Sequence, residues 1–181
     1  MKKIILAAAI VCAAAITQAA TVGWSHAGLN NCAGNSYYVF VVGQNGVSGI
    51  ATITALLNAG EDFSSYVFGS GNVAANGTAT TLPGNSGKTI AENGVYTAFT
   101  VIFDGVDPVS GESKYLLVSG GANQTKEIGS NTPSITFVAG NISALANDAS
   151  NWASYGNIPE PTSAMLLVLG VAALALRRRQ K

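Results

Sequence analysis

The sequence predicts a mainly β fold: a small antiparallel β-sandwich or curved sheet carrying one short amphipathic helix. Three observations point there. Of 181 residues, 21 are glycine and only 10% are charged, against roughly 25% charged in an average soluble protein. Gly and Asn supply the positive φ angles of tight turns, which suits turn-rich β structure better than a helical bundle. Short apolar runs recur between turn signals. One segment alone, near residue 50, repeats its apolar residues at helical spacing.

Taken in order, Thr21-Val22-Gly23-Trp24-Ser25 opens a first strand. Tyr37 to Val42 is a continuous aromatic and β-branched run, the pattern of a buried strand, and Gln44-Asn45-Gly46 follows as an Asn-Gly turn signal. Ile50, Ile53, Leu56 and Leu57 recur at intervals of three and four, Ser48 is a candidate cap, and Asn58-Ala59-Gly60 reads as a helix exit. Tyr66-Val67-Phe68 reads as a strand, and Gly69 to Gly94 as an apolar-poor hairpin or loop. Val95 to Phe103 is the best strand. Its apolar residues do not alternate, which implies burial on both sides or a bulge. A turn around Asp107-Pro108 sends the chain back through Tyr115 to Val118, so these two strands pair as a hairpin. Ser134 to Val138 is the last clear strand, and Asn141 to Tyr155 reads as a weak helix or a linker.

The zero net charge hides an asymmetry. Lys2, Lys3, Arg177, Arg178, Arg179 and Lys181 lie at the extremes, while Lys88, Lys114 and Lys126 face eight acidic residues between Ala20 and Ile158. The body is therefore near −5. It offers no basic patch to neutralise phosphates, so nucleic acid is not an expected partner. Cys12 falls in the N-terminal apolar run, and Val11 before it argues against lipidation. That leaves Cys32 alone, without an intrachain disulfide or thiolate metal cluster.

Neither do the remaining constellations assemble a catalytic set, a cofactor site or a metal site. Gly84 to Thr89 looks like a phosphate loop, but Leu82 stands where its first glycine belongs, so an exposed turn is expected. His26 is the single histidine; no Gly-x-Ser-x-Gly serine accompanies it, and it reads as a surface-loop residue. Asp104, Asp107 and Glu112 cluster in one loop without matching a calcium pattern; Glu61, Asp62 and Glu92 could equally be nominated as a hydrolase's acids. Trp24, Trp152, Tyr37 and Tyr38 are candidates for stacking on sugars, with core or interfacial packing as the plainer reading and Trp152 placed in a linker.

The two ends are more explicit. Met1-Lys2-Lys3, the apolar run Ile4 to Ile16 and the small residues before Ala20 form the three parts of a secretory signal peptide, expected over residues 1–19. At the other end, Pro159-Glu160-Pro161 keeps the backbone extended and open to an enzyme. Ala164 to Leu176 is an apolar run able to enter a bilayer as a transmembrane helix. Arg177-Arg178-Arg179 is a stop that stays cytoplasmic. A run this short spans only roughly 20 Å of a ~30 Å hydrocarbon core, which suits temporary residence.

This tripartite end resembles the PEP-CTERM sorting signal, over residues 158–181, with Ile158 where many members have Val. The resemblance implies export, transient membrane anchoring and cleavage near Pro159, Glu160 and Pro161 by exosortase, a cysteine-dependent, transpeptidase-like membrane enzyme. It implies exosortase and the secretion machinery as partners, and an envelope or extracellular-matrix destination, often alongside exopolysaccharide. It assigns no activity to residues 20–157, the expected exported domain with its C-terminal linker. A non-enzymatic surface protein is the leading expectation, with a carbohydrate-binding module or small polysaccharide hydrolase as alternatives.

Overall fold

The computed structural model describes residues 19–43, 46–90, 94–119, 124–129 and 132–156. Within them the chain forms two β-sheets and one long helix, stacked as three layers. The larger sheet is the middle layer. Its strands are β2 (Ser36–Val42), β3 (Gly69–Asn72), β6 (Gly94–Phe103), β7 (Lys114–Val118), β8 (Thr125–Ile128) and β10 (Trp152–Ser154). They run in the order β10-β7-β6-β2-β3, and β8 shares with β7 the far edge of β6. The smaller sheet is built on β1 (Ala20–Ala27). Along one side lies β9 (Ser134–Asn141), and along the other β5 (Thr89–Ile90) and then β4 (Ala79–Thr81).

Burial on both faces explains the unbroken apolar run of β6. Ala98, Thr100 and Ile102 point toward the smaller sheet. Phe99, Val101 and Phe103 point the other way, under α1 (Gly46–Ala59). A strand covered on both sides has no polar face to alternate with. β2 divides likewise, with Tyr37 and Val39 in the inter-sheet core and Phe40 under the helix. Ile53 and Leu57 of the helix are buried in that second core and Ile50 and Leu56 pack against it, as their spacing predicts.

Several expectations need correction. The sheets are not purely antiparallel, because β1 and β9 pair in parallel from Thr21↔Ser134 to Ala27↔Asn141. Parallel neighbours need a crossover, and here nearly the whole domain supplies it, so the two ends of the body are fastened to each other. The helix begins a turn early, at Gly46, so Ser48 lies inside it instead of capping it; Gln44 and Asn45 of the turn signal lie outside the described residues. Ser64–Tyr66 is a 3-10 turn, and the strand expected at Tyr66 to Phe68 starts at Gly69.

Glycine explains that shift. A Cβ on Gly69 would sit 2.3 Å from Trp24 Cη2, and one on Gly71 would sit 2.8 Å from Tyr37 Oη. β3 is a strand because it lacks side chains where two aromatic rings must lie. The supposed loop from Gly69 to Gly94 thus holds three short strands. Of the two readings of Asn141 to Tyr155, the weak helix is present and the linker is not. The segment forms α2 (Ser143–Asn147), a 3-10 turn and β10, which pairs with β7. Among the described residues no helix is long and apolar enough to cross a membrane. The signal helix expected over 1–19, Ala19 apart, and the transmembrane helix expected within 158–181 lie outside them.

Candidate functional site

The aromatic residues nominated for sugar stacking are mostly structural. Trp24 and Tyr37 are buried between the sheets, where the Trp24 indole N–H donates to the Tyr37 hydroxyl at 3.2 Å. Trp152 is half-buried in β10 and donates to the Ala146 carbonyl at 2.9 Å, so it is neither in a linker nor freely exposed. His26 is not a surface-loop residue. It is buried in β1, with Nε2 2.8 Å from Thr100 Oγ1 of the opposing sheet. Burial lowers its pKa to about 4, against a weaker opposing effect of the Ala79 backbone. Such an imidazole is neutral at ordinary pH and inaccessible to substrate. Cys32 is a buried free thiol, and burial raises its pKa, which disfavours the reactive thiolate.

Nor do the carboxylates converge on a metal. Asp104, Asp107 and Glu112 are all exposed, and Asp104 Oδ1 accepts the Lys114 backbone N–H at 2.9 Å. Among the described residues, no three His, Cys, Asp or Glu side chains are grouped to hold an ion. Asp62 is engaged locally: its two oxygens accept the Ser64 N–H at 2.8 Å and the Ser64 hydroxyl at 3.0 Å. Those bonds, the backbone one first, hold its carboxyl below the usual carboxylate range. Glu92 lies outside the described residues. Gly84 to Thr89 runs from an exposed turn into β5, where a phosphate loop would lead into a helix.

Sequence reasoning missed an open cleft of about 480 Å³ where the end of α1 meets the β6–β7 loop. Tyr38, Phe63, Pro108 and Tyr155 form its apolar walls, and Asp62, Ser64 and Ser70 line it with polar groups. Four rings pack together here, with Phe103 fully buried behind the three that line the cleft. Phe63 and Phe103 stack at 6.0 Å, and Tyr38 and Tyr155 each meet both of them edge-on. Burial, then the charges of Asp62 and Tyr38, push the Tyr155 phenol up. Tyr115 donates to Asn58 Oδ1 at 2.8 Å, tying the helix end to β7 beside these rings. The signal was present but divided: Tyr38, Phe63, Phe103 and Tyr155 are far apart in sequence, and β2–β6–β7–β10 pairing gathers them.

The last described residues, Tyr155 and Gly156, are held at this cleft. The Tyr155 N–H donates to Ser113 O at 2.9 Å, Gly111 N–H to Tyr155 O at 2.7 Å, and Gly156 N–H to Leu57 O at 2.8 Å. Gly156 has φ +75°, and a Cβ there would collide with Ser110, so close approach and backbone sign both require glycine. The next residues, 157–179, match the PEP-CTERM protein-sorting motif family. The chain carries a PEP-CTERM sorting signal. Such a signal marks an exported protein that is transiently anchored in the membrane and processed by exosortase. No curated protein and no solved structure matches the chain. Pro159, Glu160, Pro161 and the stop residues Arg177, Arg178 and Arg179 lie outside the described residues.

Proposed function

We propose that this PEP-CTERM protein is a non-enzymatic component of the cell envelope or extracellular matrix, whose β-sandwich body is displayed once exosortase has cut the tail at Pro159 to Pro161. The observation carrying this reading is the sorting motif starting at residue 157, directly after a body secured at Gly156. The body's chemistry supports a passive role. Its histidine and thiol are buried as core residues, and the cleft beside the exit is lined by one carboxylate, Asp62, where glycoside hydrolysis ordinarily uses two.

A carbohydrate-binding module is the second reading, because that cleft combines tyrosine rings with hydroxyl and carboxylate groups suited to a sugar. A glycan-array signal lost on Tyr38→Ala would favour it. For the main reading, Pro159→Ala/Glu160→Ala should leave an unprocessed, membrane-held precursor in the native host. Normal release of that variant would sink it.

A further inference from the structure

The tail leaves the body with almost no slack. Gly156 is fixed by its hydrogen bond to Leu57 O, and Pro159 is three residues on. Its Cα therefore lies at most about 11 Å from that of Gly156, and Ala164, where the apolar run starts, at most about 29 Å away. Whatever enzyme grips Pro159 to Pro161 meets this end of the body at the same time.

That end is shaped for contact. The β6–β7 loop abuts the exit, with Ser110 and Gly111 against Gly156. On the same loop Val106 is 55% exposed and Val109 48% exposed, beside Pro108 of the cleft wall. Two of the five most exposed large hydrophobic residues among those described thus sit within one ten-residue loop next to the processing motif. Three positions apart, the two valines give this loop an apolar spot that a partner could cover.

Charge selects the occupant. Asp104, Asp107 and Glu112 are exposed on the loop. Glu61 and Asp62, also exposed, follow Gly60, whose Cβ position would touch Ser110 and the Gly156 backbone. Five of the body's eight acids therefore lie on the two segments that meet at Gly156, with Lys114 following the loop. A surface of this sign is repelled by anionic lipid and attracted to a basic protein face.

Building on the sorting reading, we propose that the β6–β7 loop, centred on Val106 and Val109 and ringed by acids, docks on a basic outward-facing surface of the membrane enzyme that cuts the tail. The body is then part of the recognised substrate, holding the scissile segment in place, and the motif does not act alone. Docking lowers the entropy cost of presenting a short segment, so the body raises the processing rate.

The test follows processing of the full-length precursor by pulse-chase in its native host. Val106→Ser/Val109→Ser should slow conversion about five- to tenfold, the scale of two lost apolar contacts at an interface. Asp107→Lys/Glu112→Lys should slow it too, whereas Leu82→Ser, equally apolar and exposed at 61% on another part of the body, should not. Unchanged melting of the variants establishes that they fold. A photo-crosslinker at position 109 of the Pro159→Ala/Glu160→Ala precursor should yield an adduct with the processing enzyme. Wild-type rates in both loop variants, or adducts only with lipid or a second copy of the chain, would overturn the docking proposal. Processing that survives Pro159→Ala/Glu160→Ala would instead overturn the sorting reading beneath it.

Discussion

Acid should weaken this fold through one residue, His26. The imidazole lies between the two sheets at 2% exposure, with Nε2 on Thr100 Oγ1 and Nδ1 lacking a hydrogen-bond partner among the described residues. Protonation would place a charge between sheets whose facing residues are Trp24, Leu116, Ile102 and their neighbours, and desolvating that charge outweighs the favourable effect of the Ala79 backbone. In the unfolded chain the group titrates near 6.5, and in the fold at about 4. Between those values the unfolded state binds more protons, so stability rises with pH through this window and falls as the solution is acidified. At about 1.4 kcal/mol per pH unit, the loss from neutral pH to pH 4 is about 3 kcal/mol. With a urea dependence of about 1–3 kcal/mol/M, the unfolding midpoint drops by about 1–3 M. Urea titrations of the protein at pH 7.5, 6, 5 and 4, followed by tryptophan fluorescence, measure this directly. Asp62 and Asp148, held low by Ser64 and Ser150, lose stabilisation in the acid range too, so the comparison is with His26→Gln, which retains them. If wild type and His26→Gln lose stability in parallel between pH 6.5 and 4, the reasoning is refuted.

Other consequences follow from packing and from the acids. Gly69→Ala should destabilise the body by about 1–3 kcal/mol, because its Cβ would press on the Trp24 ring; thermal melting reads this, and an unchanged midpoint would contradict the close approach. Phe103→Ala removes a fully buried ring from behind the cleft's aromatic lining and should cost about 3–5 kcal/mol by chemical denaturation. Wild type and Asp104→Ala/Asp107→Ala/Glu112→Ala should each melt at the same temperature with calcium as with chelator, since these side chains are solvent-exposed, while loss of the Asp104–Lys114 backbone bond lowers the variant's stability by about 1 kcal/mol under both conditions. A calcium-dependent rise in wild type that the variant loses would mean the loop binds the ion.

The elements legible in the sequence are those whose apolar residues announce them. Tyr37 to Val42, Val95 to Phe103 and Tyr115 to Val118 were readable because burial on two faces leaves near-continuous apolar runs. β3 was not, because Gly69 and Gly71 contribute absence of volume, which carries no hydrophobic signal. β8, Thr125–Ile128, has one buried residue, Ile128, and is otherwise charged or polar. Parallel pairing of β1 with β9 links residues more than a hundred positions apart, and local pattern has no access to it. His26 looked like a loop residue because glycine and asparagine follow it; its hydrogen bond to Thr100 depends on a sheet–sheet contact that no local pattern shows. The sorting motif was legible for the opposite reason, since proline pair, apolar run and arginine cluster act as a linear signal. The cleft beside it had to wait for the fold to gather Tyr38, Asp62, Pro108 and Tyr155.

Mass spectrometry of the protein recovered from the native envelope and from the medium tests the central claim most directly. The account predicts a product that begins near Ala20, where β1 starts, and ends between Pro159 and Thr162. A recovered product that still carries Arg177 to Arg179 would mean that the tail is a permanent anchor, and processing at the PEP motif would be contradicted.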